Sequence, residues 1–280
     1  MSDSNSLIGS DRSCRVLVLG AHPDDAEFFA GGLLHEHKRR GSEIRLVSIT
    51  NGQSGHHELS SEVLVAKRRA EARASGEALG CEYATWDFPD GRLEPSLEVR
   101  EAIIREIRQF RPDLVLTHRP WDYHPDHRAV GQAVQDASYM VMVPKVAPGY
   151  SVPEREPVVA FMVDLFTRPA AFRADFVFDA TEHLDGILKM LACHRSQFVE
   201  WIPWIERIAQ VPSDPQAWKS WFKEFFIEKT SARGQRFWNK DWGPLPMLIE
   251  AYEVSEYAGK LSAELQGRLF PACRTANQGS

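Results

Sequence analysis

The sequence predicts an α/β fold with a mostly parallel sheet and helices on both faces. Three observations predict it. Short apolar runs of strand length alternate with longer helix-period segments four times in the first half of the chain. The connections between the runs are too long for hairpins, so successive strands lie parallel. No stretch rich in Pro, Gly or Ser interrupts the pattern, and 280 residues that are 43% hydrophobic suffice for one large core, so the whole of 1–280 reads as a single domain.

Each element has a local reason. Residues 15–20 form a continuous apolar run ending in Gly20, the pattern of a strand buried on both faces. Residues 28–40 read as a helix, with Leu33 and Leu34 inside and Lys38, Arg39 and Arg40 complementing the dipole before Gly41. A second strand is expected at 44–50, a helix at 61–79 closed by Gly80, and a third strand at 82–88. A helix at 97–110, a fourth strand at 113–117 and a helix at 128–140 complete a Rossmann-like alternation. Beyond it, 158–165 and 175–178 read as strands and 181–192 as a helix.

Residues 198–245 read as a Trp-rich, largely helical C-terminal insertion. They contain Trp201, Trp204, Trp218, Trp221, Trp238 and Trp242, and the spacing of Trp218, Trp221, Phe222 and Phe225 is a helical stripe. Such a stripe packs onto the body or onto a second copy of the chain, which leaves a homo-oligomer open. The sharper reading is an aromatic platform for a carbohydrate.

Composition excludes several classes. A net charge of -6 gives no basic footprint for nucleic acid. Cys14, Cys81, Cys193 and Cys273 are scattered without a CxxC pair, which argues against a thiolate zinc site and for reduced, buried thiols. Residues 1–13 are polar and expected to be disordered. They lack the apolar segment of a signal peptide, and no run is long enough to span a membrane, so a cytoplasmic protein is expected.

Chemistry in a parallel sheet collects beyond the carboxyl ends of the strands. After the first strand comes Ala21-His22-Pro23-Asp24-Asp25. After the fourth come His118 and then His124-Pro125-Asp126-His127. A catalytic zinc site takes three N/O ligands and keeps one position open. His22 and Asp25, three apart at a helix start, together with His127, meet that need for one Zn²⁺ per chain. Zinc would acidify its water to a pKa of about 7. Asp24 would then act as general base, and His124 would protonate the leaving amine or stabilise the oxyanion. A lone His-Pro-Asp is ordinarily a helix cap, but two such segments after two buried strands are hard to assign to capping twice. Asp126 is a partial cap or a group that orients a histidine. His35, His37, His56 and His57 read as solvated, and His183 has no evident partner.

These segments resemble the LmbE-like, or PIG-L, zinc-dependent deacetylases. The resemblance rests on Ala21-His22-Pro23-Asp24-Asp25-Ala26-Glu27 with Gly31-Gly32, and on His124-Pro125-Asp126-His127. Thr50-Asn51-Gly52, Arg68-Arg69-Ala70-Glu71, Asp90-Gly91-Arg92-Leu93, Arg111-Pro112-Asp113 and His194-Arg195-Ser196-Gln197 agree with it. It covers residues 14–197 and, more loosely, the chain to Tyr252. It implies His22, Asp25 and His127 as zinc ligands, Asp24 as general base, His124 as acid or oxyanion partner, and Arg68 and Asp90 as sugar contacts. Ala26 stands where many members have Glu, with Glu27 following. Tyr123 lies one residue closer to His124 than the oxyanion tyrosine of some members.

The resemblance implies hydrolysis of the N-acyl, ordinarily N-acetyl, amide of an amino sugar or its glycoside or conjugate. Members act on N-acetylglucosamine joined to inositol, malate, lipid-linked inositol, chitobiose or antibiotic scaffolds, and some on thiol conjugates. The rival readings are an amidase of other specificity and a non-catalytic metal- or sugar-binding protein. A dinucleotide-binding protein would need G-x-G-x-x-G after the first strand, and a serine hydrolase a G-x-S-x-G elbow. Neither motif is present.

Overall fold

The structure, a computed structural model, describes residues 13–276. The expectation of a disordered leader over residues 1–13 falls outside these except at Ser13. β1 (Arg15–Gly20), β2 (Glu43–Thr50), β3 (Glu82–Phe88), β4 (Leu114–Thr117) and β5 (Val158–Met162) are all parallel to their neighbours among these five. β6 (Phe176–Asp179), β7 (Ile249–Val254) and β8 (Arg274–Thr275) add an antiparallel half. Together they make one eight-stranded sheet in the order β3-β2-β1-β4-β5-β7-β6-β8. The expected mixed α/β architecture with a mostly parallel centre is the one observed.

Alternation along β1 decides which helices cover which face, because successive side chains of a strand point to opposite sides. Val16 and Val18 join a core with Ala30, Leu33 and Leu34 of α1 (Asp25–Arg39), Ala72 of α2 (Ser61–Leu79) and Ile187 of α5 (Leu184–Leu191). Leu17 and Leu19 join a second core with Val99, Ile103 and Ile107 of α3 (Leu97–Phe110) and Val130 and Val134 of α4 (Pro125–Met140). Ser60 and Ser96 cap α2 and α3 by accepting from Val63 N and Val99 N.

The differences from expectation have physical causes. α1 and α4 begin at Asp25 and Pro125, not at 28 and 128, because their first turns are built of His, Pro and Asp and carry no apolar signal. The helix expected at 181–192 is a short 3₁₀ turn at 181–183 followed by α5. β7 escapes the sequence pattern because Glu250 and Glu253 interrupt it. Glu250 is buried nonetheless, its carboxylate accepting from Gly32 N (2.6 Å), Leu33 N (2.9 Å) and the Tyr252 hydroxyl (2.7 Å).

The Trp-rich stretch includes α6 (Ile202–Ile205) and α7 (Pro215–Phe237). Phe222 and Phe226 of α7 are buried in the α1-side core, with Trp218 and Trp221 packed against it. Packing onto the body therefore accounts for that stripe. α8 (Ala263–Leu269) follows β7. Among the described residues no helix is long and apolar enough to cross a membrane. All four cysteines are free. Cys14 is buried, and the other three are only partly so.

His37 is not solvated, contrary to the sequence expectation. It is fully buried, its Nε2–H donating to the Leu269 carbonyl (3.1 Å) while Nδ1 faces Ser42 Oγ (3.3 Å) and Cys14 Sγ (3.4 Å), which ties α1 to α8. Burial drives its pKa down to about 4, against the opposing pull of the Leu269 carbonyl. The unfolded state thus binds the extra proton at higher pH than the folded one. The stabilising contribution is complete above the ordinary histidine value of 6.5 and is lost as pH falls toward 4. That loss amounts to about 3 kcal/mol. In urea titrations across this window, His37→Gln is expected to be less stable at neutral pH but less sensitive to acid than wild type. Parallel pH profiles for the two proteins would contradict the assignment.

Candidate metal centre and active-site pocket

The turn after β1 is held by its own side chains. His22 N–H donates to Asp25 Oδ2 (2.7 Å). A Cβ at Gly20 would lie 3.0 Å from Asp25 Cβ, so glycine permits this close approach. Asp24 takes φ 129°, ψ -18°, a conformation that costs a non-glycine residue about 1–3 kcal/mol. Its backbone N–H donates to the Tyr83 hydroxyl (3.0 Å), which in turn reaches Glu27 Oε2 (3.4 Å). Glu27 is fully buried and also bonds Ser75 and His194 Nε2 (2.8 Å). The strained residue therefore sits on a buried polar network.

The second cluster follows β4. His127 Nε2 lies 3.3 Å from His22 Nδ1 and 3.4 Å from Asp25 Oδ1. His127 Nδ1 lies 3.1 Å from Asp122 Oδ1, within ion-pair range although it lacks the geometry of a hydrogen bond. The His118 ring stacks on that of His127 with centroids 3.8 Å apart. His118 Nε2 lies 3.0 Å from Asp25 Oδ2 and 3.2 Å from Ala21 N. One nitrogen cannot donate to the first and accept from the second at once, and the buried carboxylate makes donation to Asp25 the stronger choice.

Asp126 accepts from Gly91 N (2.6 Å) and Leu93 N (3.1 Å), and its Oδ2 is 3.3 Å from His22 Nε2. Asp90 Oδ1 approaches the same nitrogen at 3.2 Å. These two carboxylates hold the proton on Nε2 of His22 and leave Nδ1 free to face His127. His124 caps α4, its Nδ1 accepting from Asp126 N (3.2 Å). Its proton therefore resides on Nε2.

His22 Nδ1, His127 Nε2 and Asp25 can be tested as ligands from their spacing. Donors about 2.0–2.1 Å from a tetrahedral zinc stand about 3.3–3.4 Å from one another. Two observed separations match, 3.3 Å between His22 Nδ1 and His127 Nε2 and 3.4 Å between His127 Nε2 and Asp25 Oδ1, and the other Asp25 oxygen, Oδ2, is 3.6 Å from His22 Nδ1. Asp25 Oδ2 is already engaged by His22 N–H and His118, so Oδ1 is the oxygen that remains for a metal. Among the described residues the donor groups that converge closely enough to hold an ion are His22/His124/His127, Asp25/His118/His127 and His22/Asp90/Asp126, so the expected three ligands are spread over overlapping groups. His124 is a poor ligand because Nδ1 is committed and Nε2 carries the proton.

The field in the cluster favours a cation. Burial opposes charge on His127, yet Asp25 and Asp122 raise its pKa to about 9. Burial likewise opposes charge on His22, yet contacts with Asp126, Asp25 and Asp90 raise its pKa well above the ordinary value. A group that prefers to be protonated in such surroundings is one whose proton a metal ion can replace. Asp24 differs. Burial lifts it to about 6, and the Arg68 guanidinium, 3.4 Å away, restrains the rise.

A cavity of about 310 Å³ opens over the cluster, lined by His22, Asp24, Asp25, Arg68, Asp90, Tyr123, His124 and His127 on its polar side. Phe28, Phe29, Phe198, Trp201 and Ile202 form the apolar wall. Every site residue expected from the sequence except Asp126 lines this cavity, and Asp126 lies directly behind His22. Arg68 also donates to the Pro23 carbonyl, and Asp90 Oδ2 accepts from Ser54 N (3.0 Å).

Sequence reasoning put His118 at the sheet edge without giving it a role, and it missed Asp122 and the buried His194–Glu27–Tyr83 chain. His118 stands directly after β4, a position that marks it out. Nothing local marks Asp122 or Tyr83. His56 is not solvated: its side chain is buried and held by Glu200 (2.9 Å). His57 is covered by Trp204, and His35 bonds the Gly31 carbonyl (2.8 Å). His183 has partners after all, stacking on Phe178 with Glu36 3.7 Å away.

Residues 17–138 match the family model PIG-L: GlcNAc-PI de-N-acetylase. The chain is 28% identical over 206 residues to a diacetylchitobiose deacetylase of Thermococcus kodakarensis, covering 70% of this chain and 76% of that protein. It is 30% identical over 195 residues to a probable N-acetyl-alpha-D-glucosaminyl L-malate deacetylase 2 of Bacillus cereus, covering 65% and 83%. A 4-oxalmesaconate hydratase of Pseudomonas putida is 25% identical over 194 residues, covering 66% and 75%. The fold matches the N,N'-diacetylchitobiose deacetylase structure from Pyrococcus horikoshii with a TM-score of 0.67 at 24% identity, covering 88% and 85% of the two chains. On the sequence match and the shared fold, the chain belongs to the PIG-L (LmbE-like) family.

Proposed function

We propose that the protein is a zinc-dependent N-deacetylase that hydrolyses the N-acetyl amide of an amino sugar or its glycoside or conjugate. One observation carries the reading. The turns after β1 and β4 bring His22 Nδ1, His127 Nε2 and the Asp25 carboxylate within 3.3–3.6 Å of one another, with the Asp24 carboxylate and a histidine N–H beside them in one cavity. The family relatives named as deacetylases of N-acetylglucosamine compounds support it.

His22, Asp25 and His127 would hold the ion, which would supply polarisation of the acyl carbonyl and acidification of water. The protein's own groups supply the rest. Asp24 takes a proton from the attacking water as its oxygen bonds to the acyl carbon, and a carboxylate lifted to about 6 suits that task near neutral pH. His124 presents Nε2–H to the oxygen on which negative charge develops. Its capping bond favours this role over acid catalysis, because an imidazolium would aim a second proton at Asp126 N–H. Asp24 then delivers its proton to the nitrogen as the C–N bond breaks, releasing acetate and the free amine. Arg68 and Asp90 line the cavity and, as the family resemblance implies, would meet sugar hydroxyls.

The hydratase relative favours a second reading, addition of water to an unsaturated acid. A substrate with several carboxylates needs cationic partners. Among the described residues Arg68 is the only Lys or Arg lining the cavity, and one guanidinium cannot pair several carboxylates. Acetate release from N-acetylglucosamine compounds, against hydration of an unsaturated dicarboxylate, distinguishes the two.

Purified without chelator, the protein is expected to carry one zinc per chain and to lose it in His127→Ala. Unchanged metal content in that variant would remove His127 from the ligand set. Asp24→Asn is expected to retain the zinc while kcat falls by about 10²–10⁴-fold. A near-wild-type rate would mean that another group activates the water. His124→Ala is expected to lower kcat by about 10²–10³-fold, the range for one oxyanion donor. If KM alone changes, His124 serves binding.

A further inference from the structure

Both peptide units that flank Asp24 are held by hydrogen bonds. The Pro23 carbonyl accepts from Arg68 Nη2, and the N–H of the same peptide, that of Asp24, donates to the Tyr83 hydroxyl (3.0 Å). The Asp24 carbonyl accepts from Phe28 N (3.0 Å) in the first turn of α1. A peptide plane tied at its carbonyl and at its N–H cannot turn without breaking one of the two bonds. Rotation about φ of Asp24 is what turns that plane. The two bonds therefore hold φ at 129°, where a residue with a side chain rarely settles unaided.

Tyr83 belongs to β3 and reaches Asp24 from outside the cavity wall. Its oxygen accepts from Asp24 N–H, so its one proton is free for Glu27 Oε2, 3.4 Å away. Glu27 is fully buried, and its other oxygen accepts from the Ser75 hydroxyl and from His194 Nε2–H (2.8 Å), which keeps the carboxylate from swinging away. Glycine at position 76 lets α2 lie close against β3 here, since a Cβ there would stand 2.8 Å from Tyr83 Cβ. His194 also stands two residues before the π-helical turn Ser196–Trp201, from which Gln197, Phe198 and Trp201 line the cavity. Asp24 and that wall thus share one buried anchor.

We propose that Tyr83 is a positioning residue for the reaction: its hydroxyl, backed by Glu27, holds the Pro23–Asp24 peptide and so aims the Asp24 carboxylate into the cavity. The inference rests on the reading of Asp24 as general base. Without the Tyr83 bond the residue is free to relax toward an ordinary conformation, which swings the carboxylate, and a displacement of about 1 Å costs a reacting group up to about 10²-fold in rate. A tyrosine that served packing alone would not need its hydroxyl, and removing that hydroxyl would leave turnover of the folded protein unchanged.

The test compares Tyr83→Phe with wild type, both zinc-loaded, by acetate release from N-acetylglucosamine and N,N'-diacetylchitobiose. The expected result is a kcat lower by about ten- to hundredfold, with KM and zinc content unchanged. In the Asp24→Asn background the same substitution is expected to cost less than about twofold, because its effect passes through the Asp24 carboxylate. Amide exchange followed by NMR reads the positioning without turnover. The Asp24 amide is expected to be protected in wild type and to exchange at least about tenfold faster in Tyr83→Phe. An unchanged kcat would overturn the inference. So would a full loss repeated in the Asp24→Asn background, a loss of zinc that accounts for the lower rate, or an Asp24 amide that exchanges equally fast in both proteins. If wild type releases acetate from neither compound, the deacetylase reading fails, and amide exchange alone decides whether Tyr83 holds Asp24. Should Tyr83→Phe not fold, an unprotected Asp24 amide in wild type would still overturn the inference.

Discussion

The parallel pairing of β1 with β4 is the constraint on which the rest of the site depends. The chain runs from β1 outward to β2 and β3, then crosses back to place β4 on the other side of β1. Ligands of open α/β sheets bind where the strand order reverses in this way. Here the reversal brings residues 20–25 and 118–127, about a hundred positions apart, to one sheet edge. Asp25 fastens the two turns together: Oδ2 accepts from the β1 turn and faces His118, and Oδ1 faces His127.

The site is locally expensive for the fold. Asp24, Asp25, Asp90, Asp122 and Asp126 crowd around four histidines in a largely buried space, and Asp24 adds backbone strain. Each carboxylate is therefore tied to N–H groups or histidine nitrogens, as buried charge requires. Tyr83, Glu27, Ser75 and His194 extend this support behind Asp24. Local rules broken in this manner concentrate at functional sites, where the surrounding structure sustains them.

The first half of the fold was legible because its strands are buried on both faces and its helices end in Gly or basic residues. β1, α2, β3 and α3 coincide with their expected limits. The candidate site was legible because the carboxyl-edge rule directs attention to the short polar segments after β1 and β4. What escaped depends on long-range partners. Glu250 makes β7 read as polar, yet α1 backbone and Tyr252 satisfy it. His37 and His56 read as surface residues because nothing adjacent reveals Leu269 or Glu200. Asp122 lies beside His127 only through the shape of the loop between β4 and α4, which no periodicity encodes.

The central claim is that one ion joins the two turns, and anomalous diffraction at the zinc edge from crystals of the metal-loaded protein tests it most directly. The account predicts a single strong peak within bonding distance of His22 Nδ1, Asp25 Oδ1 and His127 Nε2, with His124 and Asp126 outside the coordination sphere. A peak bound by Asp90 and Asp126, or by His118, would contradict it, as would a fully zinc-saturated protein with no peak between the two turns.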